Sequence, residues 1–242
     1  MDSDSLSNMG AEQFSSTASS ATSASSGLEQ SCLLSPPMPP ADLLAGCPPL
    51  KLGVMASGSG SNFAAIAQAI AAGILNAQVQ VLIYNNPEAK VAARAEALKT
   101  PAVLLNHRDY TSREDLDAAI VETLQTYDVD WVIMAGWMRI VTPVLIQAFP
   151  NRILNIHPSL LPSFKGGHAV EQALRSGVKI AGCTVHYVVP EVDSGAILMQ
   201  AAVPILPEDT ISTLQARIQI QEHQIYPAAI SLAAAREFMG NS

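Results

Sequence analysis

Asn155-Ile156-His157 sets an amide donor and an imidazole two residues apart. In a strand that spacing puts both on one face. A histidine moves protons near neutral pH, and an asparagine amide can donate to an oxygen that gains negative charge. So short a pair also recurs by chance, and a polar strand end satisfied by loop backbone explains it as well. Asp193 lies in the turn-like run at residues 190–195. A carboxylate there could orient an imidazole and favour its protonated form, although Asp-Ser-Gly is also ordinary turn chemistry. The third feature is Gly58-Ser59-Gly60-Ser61-Asn62. Glycines ahead of a helix allow close backbone approach to an anion, and the helix start presents unpaired N–H groups, so this run is a candidate phosphate cradle. It lacks the Lys-Ser/Thr pair of a P-loop and is not the full dinucleotide fingerprint.

Alternating strands and helices must position these residues. Residues 51–56 form a short apolar run that reads as a buried strand ending at the glycine turn. Helical sequence follows over 61–72, with Gly73 as its stop. Strands are expected at 79–84, 102–105, 131–135 and 153–157. Helices are expected at 87–98, with Pro87 as first residue, at 112–127, behind a capping signature at Ser112, and at 143–149. This alternation defines an α/β fold, an open, mostly parallel twisted sheet with helices on both faces. Both Asn155 and His157 then stand at a carboxyl strand end, where such sheets bind ligands. Beyond residue 158 the pattern changes to a loop, a helix at 169–176, and two long strands at 183–189 and 197–205. The tight connection makes these an antiparallel C-terminal pair. A last helix starts at Asp209 and is expected to kink at Pro227.

Composition bounds the function. The chain has 242 residues, 49% apolar, with a formal charge of −8. It contains no uninterrupted apolar run long enough for a membrane helix, and it shows the reverse of the basic excess typical of nucleic-acid binders. Small-molecule substrates, with neither nucleic acid nor membrane as partner, are therefore expected. Three cysteines, Cys32, Cys47 and Cys183, are too few for a disulfide framework, which points to the cytoplasm. Residues 1–50 hold 12 Ser, 6 Pro, five acidic residues and no Lys or Arg, leaving −3 on the remainder. That composition reads as a disordered tail ahead of a domain at 51–237 and a short end at 238–242. It fits neither a signal peptide nor a transit peptide. His107, His168, His186 and His223 lack metal-ligand spacing and read as surface or packed histidines. Trp131 and Trp137 read as core or pocket lining.

The run Asn155-Ile156-His157-Pro158-Ser159-Leu160-Leu161-Pro162 resembles the signature of the folate-dependent formyltransferases. The glycine turn, Ala135-Gly136-Trp137-Met138-Arg139-Ile140, the Asp193 turn and residues 219–226 match the branch acting on glycinamide ribonucleotide, in order and spacing, over about residues 51–236. The resemblance implies the Rossmann-like formyltransferase fold, with 10-formyltetrahydrofolate as co-substrate and no metal. It implies a catalytic trio of Asn155, His157 and Asp193. It places the ribonucleotide on Gly60, Ser61, Asn62, Phe63, Ala64, Gln219, Ile220, Gln221 and Glu222, with Glu222 at the ribose hydroxyls. It places the folate on Arg113, Met138, Arg139, Ile140, Val141 and Asn155, and on Val189, Pro190, Glu191, Val192 and Asp193. A monomer or homodimer is expected. Lys165 stands where many relatives carry proline, and Ser194 where some carry glycine. The same strand-end signature occurs in methionyl-tRNA formyltransferases and formyltetrahydrofolate deformylases. Acidic balance, no further C-terminal module and an N-terminal segment unfit to be a regulatory domain weigh against both. A non-catalytic nucleotide-binding module is the alternative from outside enzymes.

Overall fold

The computed structural model describes residues 33–40 and 42–240. One sheet of eight strands organises them: β1 (Leu33–Ser35), β2 (Leu50–Ala56), β3 (Ala77–Tyr84), β4 (Ala102–Leu104), β5 (Trp131–Met134), β6 (Ile153–His157), β7 (Ile180–Tyr187) and β8 (Ile197–Pro204). Their order is β1-β8-β7-β6-β5-β2-β3-β4. Strands β2 to β6 are mutually parallel, whereas β7, β8 and β1 add antiparallel to the β6 edge. The order reverses between β2 and β5, so the chain leaves their carboxyl ends in opposite directions and opens a crevice there.

Period-two alternation fills both faces of the sheet. Leu52, Val54, Ile133, Leu154 and Ile156 face one core, together with Phe63 and Ile66 of α1 (Ser61–Ala71), α2 (Val91–Ala97), α5 (Ala169–Ser176) and α6 (Ile211–Gly240). Met55, Val81, Ile83, Val132 and Met134 face the other, under α3 (Arg113–Thr126) and α4 (Pro143–Ala148). Each fully buried aliphatic side chain here contributes about 1.5–3 kcal/mol. At Gly53 a Cβ would lie 2.3 Å from Leu124 Cδ2, so glycine admits the close packing of α3 on β2. Ser112 caps α3 by accepting from the Asp115 amide at 3.0 Å, as its capping signature indicates.

Two expectations change. The chain expected as tail up to residue 50 contributes structure from Leu33 onward. β1 pairs with β8, Leu44 is buried, and Asn76 Nδ2 donates to the Cys47 carbonyl at 3.0 Å. A few apolar residues and a main-chain ladder suffice, and average composition conceals both. The proposed disorder of residues 1–32 lies outside the described residues. Pro87 does not start α2; residues 86–89 turn first, with the Ala89 amide donating to the Asn86 carbonyl at 3.0 Å. Helix α6 spans Ile211–Gly240 with Pro227, the expected kink position, inside it. No helix among the described residues is long and apolar enough to cross a membrane.

Candidate active site

A cleft of about 420 Å³ lies over the crevice between β2 and β5. At one end is the glycine turn. Gly60 adopts φ +73, and its missing Cβ would otherwise strike Val91 Cγ2 at 2.3 Å. It opens α1 without any side-chain cap, so the amides of Ser61, Asn62 and Phe63 are left for an anion. The Ala64 amide is already spent on the Gly60 carbonyl at 3.0 Å. Of the first-turn residues expected at the ribonucleotide, Gly60, Ser61 and Asn62 line the cleft. Phe63 sends its side chain into the core and has its backbone amide to offer, while Ala64 offers neither.

Helix α6 closes this end. Gln219 and Glu222 line the cleft, whereas Ile220 projects to solvent and Gln221 is buried outside the lining. The 3.6-residue period separates these four, which sequence adjacency groups together. Asn62 Nδ2 donates to Glu222 Oε2 at 2.9 Å. Burial pushes the Glu222 carboxyl up, and the Asn62 bond only partly offsets it. Below the site, Tyr226 Oη shares its donor between the Met134 and Leu154 carbonyls at 3.1 and 3.0 Å. That ties α6 to the last residue of β5 and to the start of β6.

The middle of the cleft holds the predicted trio. His157 Nδ1 lies 3.3 Å from Asp193 Oδ2, although 36 residues of chain separate them. Nε2 of the same ring donates to the Phe164 carbonyl at 2.8 Å. Both nitrogens thus face acceptors and can serve them together only when both carry protons. Gly166 donates its amide to Asp193 Oδ2 at 2.8 Å. Burial alone would lift the Asp193 carboxyl. Hydrogen bonds from His186 and the Gly166 amide, with the charges of both histidines, more than reverse this and hold it below the ordinary range.

His186 is the site residue that sequence reasoning misses. Its Nδ1 donates to the Tyr187 carbonyl at 2.8 Å. Its Nε2 lies 3.1 Å from Asn155 Nδ2 and 3.5 Å from Asp193 Oδ1. Unprotonated, Nε2 accepts one Asn155 amide proton and leaves the second for a ligand; protonated, it donates to Asp193. Register does this, because β7 runs antiparallel to β6 with His186 opposite Asn155. The period-two pairing of Thr184 with His186 near a strand end was the available signal.

The far end is apolar and open. Met138, Arg139, Ile140, Val141 and the turn from Val189 to Asp193 line it. Met138 is 81% exposed and Ile140 52%, an apolar rim without a covering partner among the described residues. The rim is nevertheless held. Met138 donates its amide to Ser57 Oγ at 2.9 Å, and Asp117 accepts from the Thr142 amide. Arg113, expected at the folate, stands exposed on the first turn of α3 and outside the cleft lining. Among the described residues no group of three or more His, Cys, Asp or Glu is arranged for a metal ion.

A switch-point cleft that joins an uncapped glycine turn to an amide–imidazole–carboxylate set on an open α/β sheet is built to support group transfer. The profile of the formyl transferase family matches residues 50–230, and the chain belongs to that family. It is 43% identical over 180 residues to phosphoribosylglycinamide formyltransferase of Bacillus subtilis (strain 168), covering 74% of this chain and 92% of that protein. It is 42% identical over 185 residues to the Homo sapiens trifunctional purine biosynthetic protein adenosine-3, of which it spans 18%. The structure of glycinamide ribonucleotide transformylase 1 from Symbiobacterium toebii superposes with a TM-score of 0.76 at 48% identity, covering 78% of this chain and 89% of that one.

Proposed function

We propose that the protein transfers the formyl group of 10-formyltetrahydrofolate to the amine of glycinamide ribonucleotide, giving formylglycinamide ribonucleotide and tetrahydrofolate in purine biosynthesis. The observation that carries this is one cleft containing both the uncapped glycine turn and the Asn155–His157–Asp193 set. The relatives' names agree with it. The phosphate sits on the first-turn amides, the ribose hydroxyls meet Glu222, and the pterin lies between Met138–Val141 and the Val189–Asp193 turn. Residues 51–237 form the catalytic domain, with β1 and the chain to residue 50 as its extension.

The amine lone pair attacks the formyl carbon, and the carbonyl oxygen of the tetrahedral intermediate takes the negative charge. An Asn155 amide proton stabilises that oxygen, as does His157, whose Nε2 proton is exchanged from the Phe164 carbonyl to the substrate. Asp193 orients the imidazole through Nδ1. As the intermediate collapses, the bond from the formyl carbon to the folate nitrogen breaks. The proton shed by the amine reaches that nitrogen by way of His157. A filled cleft excludes the water that would hydrolyse the formyl donor.

The test is a substrate panel with the full-length protein and 10-formyltetrahydrofolate. Formylation of glycinamide ribonucleotide is expected, with slower release of formate to water and no product with initiator methionyl-tRNA. Formate release at equal rate without any amine, or formylation of the tRNA, overturns the assignment.

A further inference from the structure

We propose that Lys165 and Ser194 form a positioning pair that holds the Asp193 carboxylate against His157. The inference rests on the reading above. Three successive loop residues address the site, each by a different route. Phe164 gives its carbonyl to His157 Nε2 at 2.8 Å, and Gly166 gives its amide to Asp193 Oδ2 at 2.8 Å. Between them Lys165 supplies the side chain, donating from Nζ to Ser194 Oγ at 2.6 Å. Ser194 Oγ in turn donates to the Val192 carbonyl at 2.9 Å. The ammonium is thereby relayed to the two residues that bracket Asp193.

This bracketing bears on the conformation of the turn. Asp193 has φ +49, a left-handed conformation that Asp tolerates better than most residues and that neighbouring contacts can fix. A charge-assisted bond from a second loop is one such constraint. Glu191, on the same turn, places Oε1 3.8 Å from Lys165 Nζ, a contact that solvent weakens at its exposed end. The titratable and charged groups around the carboxylate are His157 from β6, His186 from β7, Lys165 from the loop and Glu191 from its own turn. Without the relay the turn relaxes, and the carboxylate draws away from the Gly166 amide and from His157. Proton handling then suffers, while the nucleotide end of the cleft is untouched.

The experiment compares Lys165→Met, Ser194→Ala, the double variant and Lys165→Arg in the full chain. It records kcat, KM for both substrates, the pH profile of kcat, and the ¹³C titration of the Asp193 carboxyl, assigned with Asp193→Asn. Each single variant should lose about tenfold in kcat, the worth of one charge-assisted bond, with ribonucleotide KM unchanged. The double variant should fall little further, and Lys165→Arg should recover most of the loss. The carboxyl should titrate at higher pH in Lys165→Met, moving the acid limb the same way. Additive losses, an unmoved carboxyl titration, or a change confined to folate KM overturns the pair. Absence of formyl transfer by the unaltered protein would instead overturn the proposed function, and the titration would still decide the pair.

Discussion

Glu222→Gln should separate substrate binding from catalysis on the proposed function, because Glu222 lines the cleft at the glycine-turn end while the trio sits in the middle. The replacement is nearly isosteric, and its amide oxygen can keep accepting from Asn62, which lies 2.9 Å from Oε2. What it removes is charge. A hydrogen bond to a charged group is worth about 1.5–3 kcal/mol and a neutral one about 1 kcal/mol. Two ribose hydroxyls on this carboxylate would therefore lose about 1–4 kcal/mol together, or about 5–900-fold in nucleotide affinity. Stability should move in the opposite direction. Burial raises this carboxyl above its ordinary 4.5, so the folded chain binds the proton more tightly than the unfolded one. Stability is then full below 4.5, falls as pH rises through the raised value, and stays reduced at neutral pH. Glutamine carries no such loss. Calorimetric titration with ribonucleotide, steady-state kinetics and thermal melts between pH 4 and 8 decide the matter. The expected result is weaker binding, retained kcat at saturation, and a neutral-pH melting temperature at or above that of the unaltered chain. An unchanged Kd with a fallen kcat, or a variant markedly less stable at neutral pH, would refute the reasoning.

Asp193→Asn should lower kcat about 10²–10³-fold, the usual cost of disabling an oxyanion donor, with ribonucleotide affinity about unchanged. Because the carboxyl is held low, the activity that needs its charge persists well into acid and fades only as pH falls through that low value. The Asn variant should lack this acid limb; intact kcat or an identical pH profile refutes the assignment. Starting the chain at residue 50 rather than 33 removes β1 and the buried Leu44, together with two carbonyls that accept from Asn76. About 2–4 kcal/mol should go, read as a Tm lower by about 5–15 °C. Kinetic constants at 25 °C should hold, since none of that segment lines the cleft; an equal Tm would show that it adds nothing to the fold.

What the sequence makes legible is what lies within one element. The two-residue spacing of Asn155 and His157 on β6 needs no partner strand to be read, and the glycine turn announces an uncapped helix start from its own residues. Cross-strand facts are different. His186 reads as an ordinary packed histidine until β7 is known to run antiparallel along β6 with that residue opposite Asn155, and sheet register is written in neither strand alone. The same holds for β1, whose three residues gain meaning only from the β8 edge. Residues 219–222 show the converse, a contiguous run that helical geometry divides between cleft, core and solvent. The strand end thus supplies reactive groups in a fixed frame. Groups from elsewhere contact them: Asp193 from a turn, Phe164 from a loop, and His186 from an antiparallel strand. Lys165 and Ser194 join two of these segments, the ammonium donating to the hydroxyl at 2.6 Å.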